Sequence, residues 1–535
     1  MMRYLTKIKK GKTPQSEPIL GLSQVQNSAG GFVFSVSKWT QLSRFLILGS
    51  EGGSYYATEQ TLTRENAKAV EACIKEDGER VVREIVAVSE AGRAAKNDPA
   101  LFALAMCAGL GDEKTRRAAL DALPKVARIG THLFHFAAFV EGFRGWGRGL
   151  RKAVGNWYDA MPTDALALQA IKYGSRDGWG HRDLLRLSHP KTSDETRNAL
   201  YHWMVDGWET VGESPHPDPA LNMIWAHEKA MKASTGAEVA QLIREYRLPM
   251  EATPTDKRTR EVWEALLPHA GLTFLLRNLG NLSKAGVLAK RERETVLSVA
   301  ERLTNANALR KARVHPIQIL AALTTYASGK GVRGSGAWET VPAIVDALDT
   351  AFYRAFDNVE ATGKRWLLAL DVSGSMGSGS VAGIPGLTPR NASAAMAMVT
   401  LKSEETVETL AFGSTLVPLA LSRKQRLDDV IKSVSGLPFS ATDCAQPMLW
   451  ATKNRVAMDV FVVYTDSETW HGGVHPVQAL EQYRQKMGIP AKLIVVGMVG
   501  NKFSIADPND AGMLDIVGFD TAVPEVMRQF AMGEC

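Results

Sequence analysis

Residues 366–375 read Trp366-Leu-Leu-Ala-Leu370-Asp371-Val-Ser373-Gly-Ser375, an apolar run that ends in a carboxylate and two alternating hydroxyls. Consecutive apolar side chains of this kind mark a strand buried on both faces. Further short runs rich in branched and aliphatic residues follow at Val407–Phe412, Val460–Tyr464 and Lys492–Val499. Between them lie helical patterns at Asn391–Leu401, Leu427–Val434 and Val477–Lys486. Strand–helix alternation predicts a parallel sheet covered by helices on both faces, an α/β doubly wound unit over residues 363–535.

Open parallel sheets bind ligands at the carboxyl ends of their strands, which is where Asp371, Ser373 and Ser375 stand. Thr442, in the loop Phe439-Ser-Ala-Thr-Asp443, and Asp466, just after the run Val460–Tyr464, should lie at the same edge. Two carboxylates and three hydroxyls are hard oxygen donors that suit Mg²⁺, with Mn²⁺ an alternative; Mg²⁺ commonly keeps waters in the remaining positions. A Ser/Gly-rich turn capping the next helix is the plainer reading. For hydrolysis the signals are weak. Asp466, Ser467 and His471 are neighbours only in sequence, no G-x-S-x-G or H-E-x-x-H pattern occurs, and no carboxylate cluster would hold two metals. The chain is therefore read as a non-enzyme.

Upstream of 363 the character differs. Residues 37–350 are dominated by short amphipathic helical patterns, among them Glu65–Ser89, Leu101–Cys107, Ala118–Ile129, Leu133–Val140, Ala165–Ile171 and Ile317–Tyr326. Gly, Pro or Asp-Pro interrupt them, which predicts stacked helical hairpins over 19–362. Asp77-Gly78 should end a helix inside the first pattern. Residues 1–18 hold five Lys/Arg and two Pro, and read as a basic flexible arm.

The formal net charge of +6 is uneven: residues 1–360 carry +8 and residues 361–535 carry −2. Within Lys172–His189, the cations Lys172, Arg176, Arg182 and Arg186 alternate with Tyr173 and Trp179. Cations neutralise phosphates and planar rings stack on unpaired bases. A solvated helix face is the competing reading, and Asp183 could cap the helix or pair with Arg182 or Arg186. Arg144-Gly-Trp146-Gly-Arg148 and Arg151-Lys152 form a second basic patch containing a Trp, whereas Trp157 and Tyr158 read as packing.

Four scattered cysteines without a CxxC pair exclude a disulfide scaffold and favour a reducing compartment. No apolar run reaches the ~18 residues of a membrane helix, and no secretory h-region follows the basic start. A soluble cytoplasmic protein with no membrane partner is expected.

The order of the two units, together with Phe45–Tyr56, Lys172–His189, Leu275–Asn281, Lys311–Leu320, Leu370–Met376, Thr442–Pro447 and Thr465–Pro476, resembles the Ro autoantigen family. That family joins a TROVE module to a von Willebrand factor A-like domain. The resemblance implies a ring of HEAT-like helical repeats around a basic hole, followed by a Rossmann-like A domain. Ser373, Ser375 and Thr442 resemble the ligands of a metal-ion-dependent adhesion site, with Asp371 and Asp466 close or water-bridged. It further implies that Y or Y-like RNAs bind the outside of the ring, that single-stranded ends of misfolded small non-coding RNAs enter the hole, and that an exoribonuclease can be joined through RNA. Lys172 and His189 stand at positions tied to Y RNA binding; Arg176, Arg182 and Arg186 are added from charge and spacing. His189, ahead of Pro190, could instead cap a helix. Ser440-Ala441 replace expected glycines, and Gly377–Pro389 is a long spacer that should form a mobile rim. A metal-dependent adhesion scaffold with an unknown protein ligand, and a metal-dependent nuclease, are the alternatives.

Overall fold

From Gly11 onward the expected flexible arm is an ordered strap. The computed structural model describes residues 11–49, 67–94, 96–207, 215–331, 336–356, 360–378, 381, 387–438 and 440–534. Residues 1–10 of the arm, 50–56 of one family-like segment and most of the expected rim at 377–389 lie outside these. Gln15 is fully buried, because its side-chain amide donates to Asp443 and to the Val474 carbonyl, at 2.6 and 2.8 Å. A polar side chain tolerates burial when its hydrogen bonds are met inside the protein. Strands β1 (Gln24–Gln26) and β2 (Phe32–Ser35) follow as an antiparallel pair.

The helical unit begins with Lys38–Leu48, followed by Lys68–Ala91. Asp77 is non-helical within the second helix, and its carboxylate accepts from the Arg80 amide as a fresh N-cap. Gly78 fits there because a Cβ would strike the Thr115 side chain. The Asp-Gly pair thus ends one helix and starts the next, as expected, with a kink between the two. Helices Asp98–Leu110, Gly130–Glu141, Arg148–Asp159 and Thr163–Lys172 continue the stack. A short hairpin of β3 (Ser175–Arg176) and β4 (Trp179–Gly180) precedes the helix His181–Ser188. Further helices lead to Leu272–Lys284, Pro316–Ala327 and Pro342–Arg354.

An early and a late helix of this run meet, Lys68–Ala91 and Pro316–Ala327. The His315 Nε2 donates to the Arg93 carbonyl at 3.0 Å, while its Nδ1 accepts from the Ile317 amide at 3.2 Å and caps Pro316–Ala327. That network requires a neutral imidazole, and burial lowers the pKa of His315 to about 4. A base whose folded pKa is depressed keeps its stabilising contribution above the unfolded value of about 6.5 and loses it as pH falls toward 4. His315→Asn retains a capping acceptor and cannot titrate. Its melting temperature is expected to fall less steeply than the parent's between pH 6.5 and 4, although not to become flat. Buried His181 and His132, lowered to about 4 and about 3, still contribute.

In the second unit, β5 (Arg365–Asp371), β6 (Thr406–Phe412), β7 (Leu416–Pro418), β8 (Val460–Thr465), β9 (Lys492–Gly497), β10 (Phe503–Ser504) and β11 (Met513–Val517) occur in chain order. Six of them form one sheet, β11-β9-β8-β5-β6-β7, parallel except for β7. Alternation along β5 divides the core. Leu368 and Leu370 join the apolar cluster continuous with the helical unit, whereas Leu367 and Ala369 belong to a second cluster that also takes in Ile19, Val33 and Phe34 of the strap. β10 pairs with β2, so residues 19–35 pack with the A-type unit rather than with the helices that follow them. The Ser37-capped helix Lys38–Leu48 then crosses between the units.

Candidate metal centre and nucleic-acid interface

Sheet order reverses between β5 and β8, and the loops after these two strands diverge to leave a crevice at their carboxyl ends. Asp371 ends β5 and is fully buried; its Oδ1 accepts from the Ser373 amide at 2.9 Å and its Oδ2 from the Thr465 hydroxyl at 2.7 Å. Ser373 and Ser375 bring their hydroxyls within 3.1 Å of each other. Arg390 holds this loop from behind, donating to the carbonyls of Val372 and Ser373. Asp466 follows β8 with Oδ1 accepting from the Glu468 amide at 3.0 Å, while its buried Oδ2 has no hydrogen-bond partner. Burial first, and then the charge of Asp371, raise the Asp466 carboxyl well above the carboxylate range. Thr442 is also buried, on a loop whose carbonyl accepts from the amides of Trp470 and His471.

A buried carboxylate oxygen without a donor, beside a second carboxylate and two neighbouring hydroxyls, fits a hard divalent cation in donor chemistry. Among the described residues there is no cluster of three or more His, Cys, Asp or Glu side chains. Any cation here would therefore rely on hydroxyls and water as well as on Asp371 and Asp466.

Sequence reasoning missed what supports this crevice. Asn27 donates to the carbonyls of Ser467 and Thr469, and the Ala29 amide donates to Glu468. Gly31 lies so close to Thr469 that a Cβ would collide with its carbonyl. From the helical unit, Arg44 is only 1% exposed and reaches Asn501 Oδ1 at 2.6 Å, the Phe503 carbonyl at 3.1 Å and Asp515 at 2.6 Å. Asn501 in turn donates to the Asp466 carbonyl. Arg44 and Asn501 had no local signal, since the contact between them spans 457 residues of chain.

The cationic stretch runs through the end of one helix, the β3–β4 hairpin and the helix His181–Ser188. Lys172 ends its helix with its ammonium 5.5 Å from the Tyr173 ring centroid. Arg176 lies on β3 with its side chain 63% exposed, 3.9 Å from Asp177. Arg182 and Arg186 are exposed at i and i+4 of His181–Ser188, while Leu184 and Leu185 turn into the core. Asp183 accepts from the Gly180 amide at 2.9 Å and so caps the helix. Among the described residues no carboxylate pairs with Lys172, Arg182 or Arg186. His189 takes a left-handed conformation, φ 46°, and caps through its backbone amide to Leu185, leaving the imidazole exposed. Trp179 and Trp146 approach with ring centroids 5.1 Å apart, which joins the second basic patch to the first. That contact was not legible from spacing. Trp157 and Tyr158 are buried packing residues, as expected.

Comparison with known proteins follows these two sites. The family model described as the Ro60 vWA domain matches residues 365–531, and the TROVE domain matches 25–217 and 249–325. The RNA-binding protein RO60 of Deinococcus radiodurans is 49% identical over 535 residues, the whole of both chains. The RNA-binding protein RO60 of Caenorhabditis elegans is 36% identical over 586 aligned positions, covering 96% of this chain and 90% of that one. Among solved structures, that of the Deinococcus radiodurans RO (RSR) protein aligns with a TM-score of 0.71 and 48% identity, over 93% of this chain and 100% of the other.

Proposed function

The chain belongs to the Ro60 family, with its TROVE and vWA domains in that order, and from this premise we propose that it binds non-coding RNA without catalysing a reaction on it. The observation that carries this reading is the stretch 172–189, in which half-buried Lys172 and exposed Arg182 and Arg186 have no carboxylate partner among the described residues and Trp179 meets Trp146 of the second basic patch. Cations there neutralise phosphates, and the rings offer faces to unpaired bases. A Y or Y-like RNA is the ligand proposed for this outer face, and single-stranded ends of misfolded small RNAs are proposed for the interior of the closed helical run. An exoribonuclease would join through the RNA rather than through a protein contact. Among the described residues no helix is long and apolar enough to cross a membrane, and the cytoplasm is the proposed location. In a mobility-shift assay, Lys172→Ala/His189→Ala is expected to weaken a Y-like RNA by roughly tenfold or more while leaving the melting temperature unchanged. Unchanged affinity would remove this surface as the RNA site.

At the crevice, Asp371, Ser373, Ser375, Thr442 and Asp466 would hold Mg²⁺, or Mn²⁺ in its place. The ion would supply an open coordination position for a carboxylate of an unidentified protein ligand. Asp466→Asn separates the ion from the fold. In EDTA it removes a costly buried charge and is expected to melt no lower than the parent. With Mg²⁺ at about 100 times its dissociation constant the parent gains about 2.7 kcal/mol, and the variant is expected to gain much less. Equal Mg²⁺ responses in calorimetry would argue against the site.

A further inference from the structure

Where the early and late parts of the helical unit meet, a cavity of about 370 Å³ is lined by Lys96, Arg128, Arg277 and Arg313. One carboxylate, Asp98, shares the lining, and it faces His135 at 3.9 Å. Arg128 donates to the carbonyl and hydroxyl of Ser89, at 3.0 and 2.5 Å, and not to a carboxylate. Arg313 depresses the Arg128 pKa further after burial has done so, and Glu90 only partly opposes them. No ion pair to a carboxylate involves Arg128, Arg277 or Arg313 among the described residues. Like charges gathered in a recess repel one another unless an anion enters.

This cavity runs into a second, of about 450 Å³, with Lys96, Thr273, Arg277 and Gln318 common to both. The second chamber is lined by Tyr326 and Trp338, whose rings are stacked with centroids 6.2 Å apart. A charged chamber beside an aromatic one matches a phosphate attached to a planar base.

We propose that this seam is a nucleotide-binding groove, with a phosphate held between Arg128, Arg277 and Arg313 and a base directed toward Trp338. Because Arg128 lies in the first third of the helical unit and Arg277 and Arg313 in its last third, the bound phosphate bridges the two parts. The inference goes beyond the outer RNA face and needs no RNA to be tested. The shared chemistry is a nucleoside phosphate, supplied either as a free nucleotide or as one unit of a strand.

Calorimetric titration of the full chain with adenosine 5′-monophosphate and with inorganic phosphate, at ionic strength matched with chloride, tests it. Saturable binding of both is expected, with the nucleotide tighter. Arg277→Gln and Arg313→Gln, both at exposed positions, should each weaken both probes by roughly fivefold or more, as the loss of a charge-assisted contact does. Trp338→Ala should weaken the nucleotide and spare phosphate. Competition by a short single-stranded oligonucleotide with a 5′ hydroxyl would assign the groove to a strand, and absence of competition to free nucleotide. Binding no different from chloride, or an Arg277→Gln/Arg313→Gln double variant that binds like the parent, would overturn the groove. Neither result bears on RNA affinity at Lys172, so this failure and that of the outer face are separable.

Discussion

Arg44→Met is expected to destabilise the protein by about 3–5 kcal/mol, the usual consequence of removing one partner from a buried charge pair. The guanidinium is 1% exposed and serves Asp515, two acceptors on Asn501 and the Phe503 carbonyl. Methionine fills much of the volume but leaves the Asp515 carboxylate and three further acceptors without this donor. Asn501 then loses the contact that orients its amide toward the Asp466 carbonyl. Denaturant unfolding gives the magnitude, and a double-mutant cycle gives the cause. Arg44→Met/Asp515→Leu should recover part of the loss, because it no longer strands a charge. A single variant that unfolds like the parent would show that the junction between the units does not depend on this pair.

The second large effect concerns RNA. Lys172→Ala/Arg182→Ala/Arg186→Ala removes three cations without a carboxylate partner among the described residues, Lys172 giving up only its contact with the Tyr173 ring, so stability should hold within about 1 kcal/mol. Affinity for a small structured RNA should fall by roughly 30- to 300-fold at moderate salt, and the slope of log K against log salt should shrink by about 2–3. Removing three exposed cations of the A-type domain, Lys424, Lys453 and Lys486, is the matched control and should leave both nearly unchanged. Equal losses in the two variants would mean that overall charge, rather than this surface, sets the affinity.

Much of this architecture was legible because period and strand-end chemistry are local properties. The buried run Trp366–Leu370 forms β5, the run ending at Tyr464 extends by one residue to Thr465 in β8, and the expected helix Asn391–Leu401 widens to Pro389–Ser403. Asp371 and Asp466 fall at the same end of the sheet because β5 and β8 run parallel side by side. What escaped was long-range. Residues 11–18 belong to the basic stretch read as a free arm, yet Gln15 finds its partners more than 400 residues away, as Asn27 does in the strap that follows. Asp77-Gly78 does divide the helical pattern, as its local chemistry suggests, but the close approach of Gly78 to Thr115 appears only in the fold. Likewise, composition marks Trp146 and Trp179 separately, and only the fold brings their rings together.

The most direct test of the proposed function is a mobility-shift titration of the full chain against one small structured RNA with a free single-stranded 3′ end. The same RNA with a blunt end is the comparison, at two salt concentrations and with EDTA or Mg²⁺. Tight binding that prefers the free end, weakens steeply with salt and is indifferent to EDTA is the expected result, since the cationic surface and the crevice are separate sites. Absence of binding at moderate salt, or binding that EDTA abolishes, would contradict it.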